Sequence, residues 1–172
     1  MRTALLALAF VCVPALARAD EEPSVVFTNA ALYEAPGALG LDVALRARVR
    51  DLRYGGLAQA VALPLGTERT IQARPLVVFD WCAHEGAAAR LWLGAALGPW
   101  FRFLADNDTH IGFTALLTFD VAVPLSKSLS FDVILRAGGQ IDGSVALARP
   151  DPVGQFLLGL TWEPVRSSLR TR

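Results

Sequence analysis

The sequence predicts an all-β fold, an eight-stranded antiparallel up-and-down transmembrane β-barrel. Three observations predict it. Apolar residues recur at every second position over long stretches, which is the period of a strand and not of a helix. Turn-forming Gly, Pro, Asn, Asp and Ser cluster at short intervals between those stretches. The apolar face is nearly unbroken, while the opposite face mixes charge with very small residues.

The stretch from Leu39 to Arg50 shows the period most clearly. Its odd positions, Leu39, Leu41, Val43, Leu45, Ala47 and Val49, are all apolar. Its even positions, Gly40, Asp42, Ala44, Arg46, Arg48 and Arg50, are small or charged. An amphipathic helix would need apolar residues three and four apart. Along the chain the same reading predicts strands over 24–34, 39–51, 57–65, 70–82, 89–104, 110–124, 128–141 and 154–163. The first has the weakest alternation and ends at Pro36-Gly37. The third follows Tyr54-Gly55-Gly56, contains Pro64 and gives way to Gly66-Thr67-Glu68-Arg69. The fourth closes on Phe79 and Trp81 ahead of Gly86, with His84 and Glu85 expected in the turn. The fifth alternates from Arg90 to Phe103 and stops before Asp106-Asn107-Asp108. The sixth carries Ile111, Phe113, Ala115, Leu117, Phe119, Val121, Val123 and Leu125, then turns at Ser126-Lys127-Ser128. The seventh ends at Asp142-Gly143, and the eighth follows Pro150-Asp151-Pro152.

Alternation fits two barrels of opposite polarity, and the sequence favours the one with its apolar face in lipid. A tilted strand needs about 9–11 residues to cross the hydrocarbon layer, and these segments reach that length. In the fifth segment the other face reads Arg90, Trp92, Gly94, Ala96, Gly98, Trp100 and Arg102. Gly weakens a strand unless the space is needed, and a narrow lumen needs it. Aromatic residues stand near strand ends on the apolar face, as in the girdles of bilayer-spanning barrels: Phe79, Trp81, Phe101, Phe103, Phe113, Phe156 and Trp162.

Composition agrees. The 172 residues suit one domain, 53% are hydrophobic, and the 19% charged fraction lies below the usual quarter. Lys127 is the only lysine. Arg2, an apolar run from Ala4 to Val13 and the sequence Ala17-Arg18-Ala19 fit a cleaved secretory signal over 1–19, leaving a single domain over 20–172. That run is too short to span a bilayer, which needs roughly 20 apolar residues. Cleavage removes two of 16 basic residues and none of 16 acidic ones, a net charge of −2 that gives no support for nucleic-acid binding. Cys12 leaves with the signal, and Cys82 alone can form no internal disulfide.

The signal ending Ala17-Arg18-Ala19, the tight turn Pro124-Leu125-Ser126-Lys127-Ser128 and the last segment Gln155-Phe156-Leu157-Leu158-Gly159-Leu160-Thr161-Trp162 carry a resemblance. The chain resembles the small eight-stranded outer-membrane β-barrel proteins of Gram-negative bacteria. That resemblance implies the outer membrane as location, and the lipid bilayer and the barrel-assembly machinery, which reads an aromatic-ended last strand, as partners. In this chain residues 163–172 follow Trp162, and the loops are short.

The candidate site is the polar face: Asp42, Arg46, Arg48, Arg50, Arg74, Asp80, Arg90, Arg102, Asp120, Asp132 and Arg136. Buried charges must pair or be solvated, so these residues are expected to form an Arg–Asp network filling the lumen. A small selective pore is the other use of such a lining. His84 and His110 have no Ser within two residues, as a hydrolase triad would suggest, and Asp106-Asn107-Asp108 reads as a solvated loop rather than a cation site. No cofactor, metal or catalytic residue is expected. The reading is a non-enzymatic outer-membrane barrel, structural or interacting with small solutes or lipid, and monomeric. The alternative is a soluble periplasmic, lipocalin-like barrel for a small apolar ligand.

Overall fold

The computed structural model describes residues 23–65, 68–104, 109–143 and 149–164. The signal segment, Gly66-Thr67, Asp106-Asn107-Asp108 and most of the tail after Trp162 lie outside the described residues. Eight strands follow in chain order: β1 (Ser24–Glu34), β2 (Ala38–Val49), β3 (Leu52–Leu65), β4 (Glu68–Glu85), β5 (Arg90–Phe103), β6 (Thr109–Pro124), β7 (Leu129–Asp142) and β8 (Asp151–Trp162). Each pairs antiparallel with its sequence neighbour, and β8 pairs with β1, so the sheet closes on itself. Each described strand is paired on both sides, and closure of this kind is the condition for a sheet to sit in lipid.

Polarity is the reverse of a soluble barrel. Residues of one parity on each strand are buried inside, while Leu39, Leu41, Leu97, Phe113, Phe119, Leu135 and Leu160 stand exposed on the outer wall. Leu117 is 72% exposed and its neighbour Thr118 only 6%. A lipocalin-like barrel would have Leu117 inside and Thr118 in water. Of the aromatics expected at strand ends, Phe79, Trp81, Phe103, Phe113, Phe156 and Trp162 are exposed on this outer wall, and Phe101 is half-buried.

Three strands, β3, β4 and β8, run at least two residues longer than the sequence predicts. β8 begins at Asp151, so Asp151 and Pro152 are strand, paired with Gln140 and Gly139, and not turn. β3 begins at Leu52 because Tyr54-Gly55-Gly56 is strand and not turn; Gly55 pairs with Arg46, and a side chain there would collide with the Leu45 carbonyl oxygen. β4 passes through a bulge between Cys82 and His84 and continues to Glu85. His84 and Glu85 are therefore strand residues opposite Leu91 and Arg90, and the turn is confined to 86–89. The β6–β7 turn is as tight as expected: the Leu125 and Ser126 amides donate to the Leu129 carbonyl at 2.8 and 3.0 Å, and Ser126 Oγ accepts from the Leu129 amide at 3.1 Å.

One ladder is interrupted. Between β4 and β5 the pairing stops at Ala73↔Phe101 and resumes at Val77↔Leu97. Pro75 and Pro99 face each other at the middle of that gap. Neither has an N–H, so this stretch of wall cannot form the two bonds an ordinary pair would exchange.

Candidate functional site

The barrel interior holds the charged residues, and it is layered. Both described chain ends, Ser24 and Trp162, lie at one end of the barrel, here the terminal end. On β2 the inward residues read Asp42, Ala44, Arg46 toward that end; on β4 they read Arg74, Leu76, Val78, Asp80. β3 repeats the order with Gln59, Leu57, Arg53, and β7 with Arg136, Ile134, Asp132. A band of apolar side chains therefore separates two polar layers.

In the layer nearer the termini, Arg46 Nη1 donates to Asp80 Oδ2 at 2.7 Å. Arg53 Nη2 lies 2.6 Å from Asp120 Oδ2 and 3.3 Å from Asp80 Oδ2, and its guanidinium covers the Trp92 ring at 3.9 Å. Gly94 leaves the room that the Asp80 carboxylate occupies. Arg46 also donates to Thr28, whose hydroxyl is 2.7 Å from that of Thr161. Asp132 is fully buried and accepts from Ser130 at 2.8 Å and from Thr161, with no cation within ion-pair distance among the described residues.

In the far layer, Arg74 grips Glu34 with both Nη atoms, the Nη2–Oε1 bond at 2.8 Å, and Arg136 Nη1 meets Asp42 Oδ2 at 2.5 Å. Four glutamines complete it. Gln59 donates to Asp42 and to Gln155, both at 3.0 Å; Gln155 donates to Glu34 at 2.8 Å; Gln72 donates to Gln140 at 3.2 Å. Each of the two Arg in this layer has a carboxylate partner, so desolvation is matched by charge-assisted bonds.

Between the layers sit Ala44, Leu57, Leu76, Val78, Ala96 and Leu116, with Ala30, Leu32, Ile134 and Leu157 beside them. All are at most 4% exposed. Among the described residues this band is apolar except on β6, where the buried Thr118 stands between Leu116 and Asp120 and pairs with Arg136 of β7.

At the terminal mouth, Glu163 and Glu85 tie down two arginines. Arg48 reaches Glu163 at 3.1 Å and Glu85 at 3.2 Å, Arg90 reaches Glu85 at 3.0 Å, and Ser24 donates to Glu163 at 3.0 Å. A cavity there, lined by Arg53, Arg90, Trp92, Lys127 and Glu163 among others, has a volume of about 30 Å³. It is large enough for a water or two and not for an apolar ligand.

Of the sequence-derived set, Asp42, Arg46, Arg74, Asp80, Asp120, Asp132 and Arg136 are buried inside. Arg48 and Arg90 are rim residues. Arg102 lies toward the far mouth, its guanidinium 5.1 Å from the Trp100 ring. Arg50 is a correction: β2 ends at Val49, so Arg50 falls in the hairpin turn at φ 52 and is exposed, not lumenal. Sequence reasoning missed Glu34, Arg53, Gln59, Gln155, Thr161 and Glu163. Glu34 shares its parity with Val26 and Leu32, a signal the weak first segment obscured. Arg53 was concealed by the assumed turn at 54–56. His110 meets Asp142, with Nδ1 3.5 Å from Oδ2.

No family model matches the sequence, and neither does any curated protein. Solved structures do match. Neisserial surface protein A is 10% identical, with 83% of this chain and 96% of that one covered at a TM-score of 0.62. Ail, the attachment invasion locus protein of Yersinia pestis, solved with the heparin analogue sucrose octasulfate, is 11% identical, with 83% and 97% covered at a TM-score of 0.50. At such identities the likeness is one of fold. The chain has the fold of the small eight-stranded outer-membrane β-barrels.

Proposed function

We propose that this chain is an exported, non-enzymatic outer-membrane protein whose barrel is a sealed structural unit, acting through its wall and rims on lipid rather than by conducting solutes. The observation that carries this is the apolar band between the two ion-paired layers. A conducting pore needs a continuous wet path, and side chains such as Leu57, Leu76, Leu116 and Leu157 fill its middle. The outer wall supports the location: a soluble protein rarely exposes so wide an apolar face. The terminal mouth would face the periplasm, its three turns spanning two to four residues each.

Two measurements test this reading. The mature protein should stay with the membrane fraction through a carbonate wash. In planar bilayers it should show no steady conductance. Release into the soluble fraction would overturn the location, and large stable current steps would overturn the sealed lumen.

A further inference from the structure

Between the aromatic residues near the two ends of the wall, one polar side chain faces outward among the described residues, and it is Asn29. It sits on β1 two residues from Phe27 and four from Tyr33, the aromatics of that strand. It is exposed, and its amide makes no hydrogen bond with a described residue. Toward lipid, one carbonyl and two N–H groups are left unmatched, and acyl chains offer them nothing. Intramembrane polar groups of this kind are found where they have a partner.

The wall around Asn29 is shaped for close approach. Asn29 and Ala31 form a shallow trough. On one side rise Leu160 and Leu158 of β8, paired with Asn29 and Ala31. On the other rise Val43 and Leu41 of β2, paired with the same two residues.

We propose that this β1 face is the docking surface for a second copy of the chain, with the two Asn29 amides bonded to each other. Copies inserted with one orientation can be related by a two-fold axis only if that axis runs along the membrane normal. Such an axis preserves depth, so Asn29 meets Asn29. An amide is its own complement: the carbonyl of each accepts from the NH2 of the other. The same axis sets the β8 ridge of one copy beside the β2 ridge of its partner. Leu158 and Leu160 then pack against Leu41 and Val43, with the short trough residues letting the backbones approach. Association in lipid depends on this close packing together with interchain hydrogen bonds. The inference rests on the membrane reading above and departs from the monomer expected from the sequence.

The test uses the full mature chain labelled at Lys127, which is exposed and is the only lysine, with donor or acceptor dye in phosphatidylcholine vesicles. Energy transfer should fall along a binding curve as lipid dilutes the protein. Asn29→Leu should weaken association about 3- to 20-fold, the range seen for interchain hydrogen bonds in membranes, and Asn29→Gln should fall between. A second arm keeps Asn29 and so does not depend on how that variant folds. In a Cys82→Ala background, Ala31→Cys should cross-link on oxidation, whereas Leu97→Cys on β5, across the barrel, should not. Insertion is checked by co-sedimentation after a carbonate wash. A wild-type chain that fails to insert overturns the membrane reading itself. An inserted chain overturns the dimer alone if it is monomeric at every dilution, if Asn29→Leu leaves its association unchanged, or if Ala31→Cys cross-links no better than Leu97→Cys.

Discussion

Arg74 of β4 reaches across the lumen to Glu34 of β1 and holds both oxygens of its carboxylate. The two strands are not neighbours, so this pair braces opposite parts of the wall. Removing one partner leaves the other charged and buried. Arg74→Leu is expected to destabilise the barrel by about 3–5 kcal/mol. The double variant with Glu34→Leu should recover much of that loss. Urea unfolding in vesicles, read by tryptophan fluorescence, measures both. Equal losses for the single and double variants would mean the pair is not coupled.

Pro75 and Pro99 mark the weak stretch of the wall. Replacing both with Val supplies two N–H donors where β4 and β5 lack pairing. Pro75→Val with Pro99→Val should raise stability by about 1–2 kcal/mol, the sum of two modest net hydrogen bonds. The same unfolding experiment reads it. A loss of stability would show that the backbone there cannot close into a ladder.

The terminal rim depends on Glu163, one residue past the last strand. It joins Ser24, Arg48 and, at 3.6 Å, Arg90, so it links the two strands of the seam to β2 and β5. Glu163→Gln should cost about 1 kcal/mol or less, because the pairs are partly exposed and screened. Its effect should shrink further in high salt, measured by unfolding at two ionic strengths. A loss of several kcal/mol that salt leaves unchanged would place these pairs among the buried ones.

The fold was legible where alternation was unbroken. β6 is the clearest case: its odd residues from Ile111 to Val123 read as one apolar face, and that face is the outer wall. Period two also assigned the inward parity of β2, β5 and β7. It could not reveal partners. Arg74 meets Glu34 and Arg136 meets Asp42 because of the way the barrel closes, and no single strand encodes that stagger. Glycines misled at Tyr54-Gly55-Gly56, where they signal close backbone approach rather than a turn, and Arg53 was lost with them. Arg50 failed for a simpler reason. The alternation runs through it, but the strand stops one residue earlier.

The layered interior was only half visible. The polar residues were read from the sequence as one network, whereas the inward apolar residues Leu57, Leu76, Leu116 and Leu157 divide it. Thinning that band tests the division. Leu76→Ala with Leu116→Ala should raise ion leak through the barrel above the wild-type baseline in planar bilayers, at a stability cost of about 2–5 kcal/mol per site. If the double variant folds and stays as tight as the wild type, the band is not the seal.

The central claim is that one face of each strand meets lipid, and labelling tests it most directly. In a Cys82→Ala background, Ala115→Cys, Leu117→Cys, Phe119→Cys and Val121→Cys each place one thiol on the outer wall of β6. In intact membranes all four should resist a membrane-impermeant maleimide and react with a lipid-soluble one. Efficient reaction of all four with the impermeant reagent would show that this face meets water, and would contradict the membrane barrel.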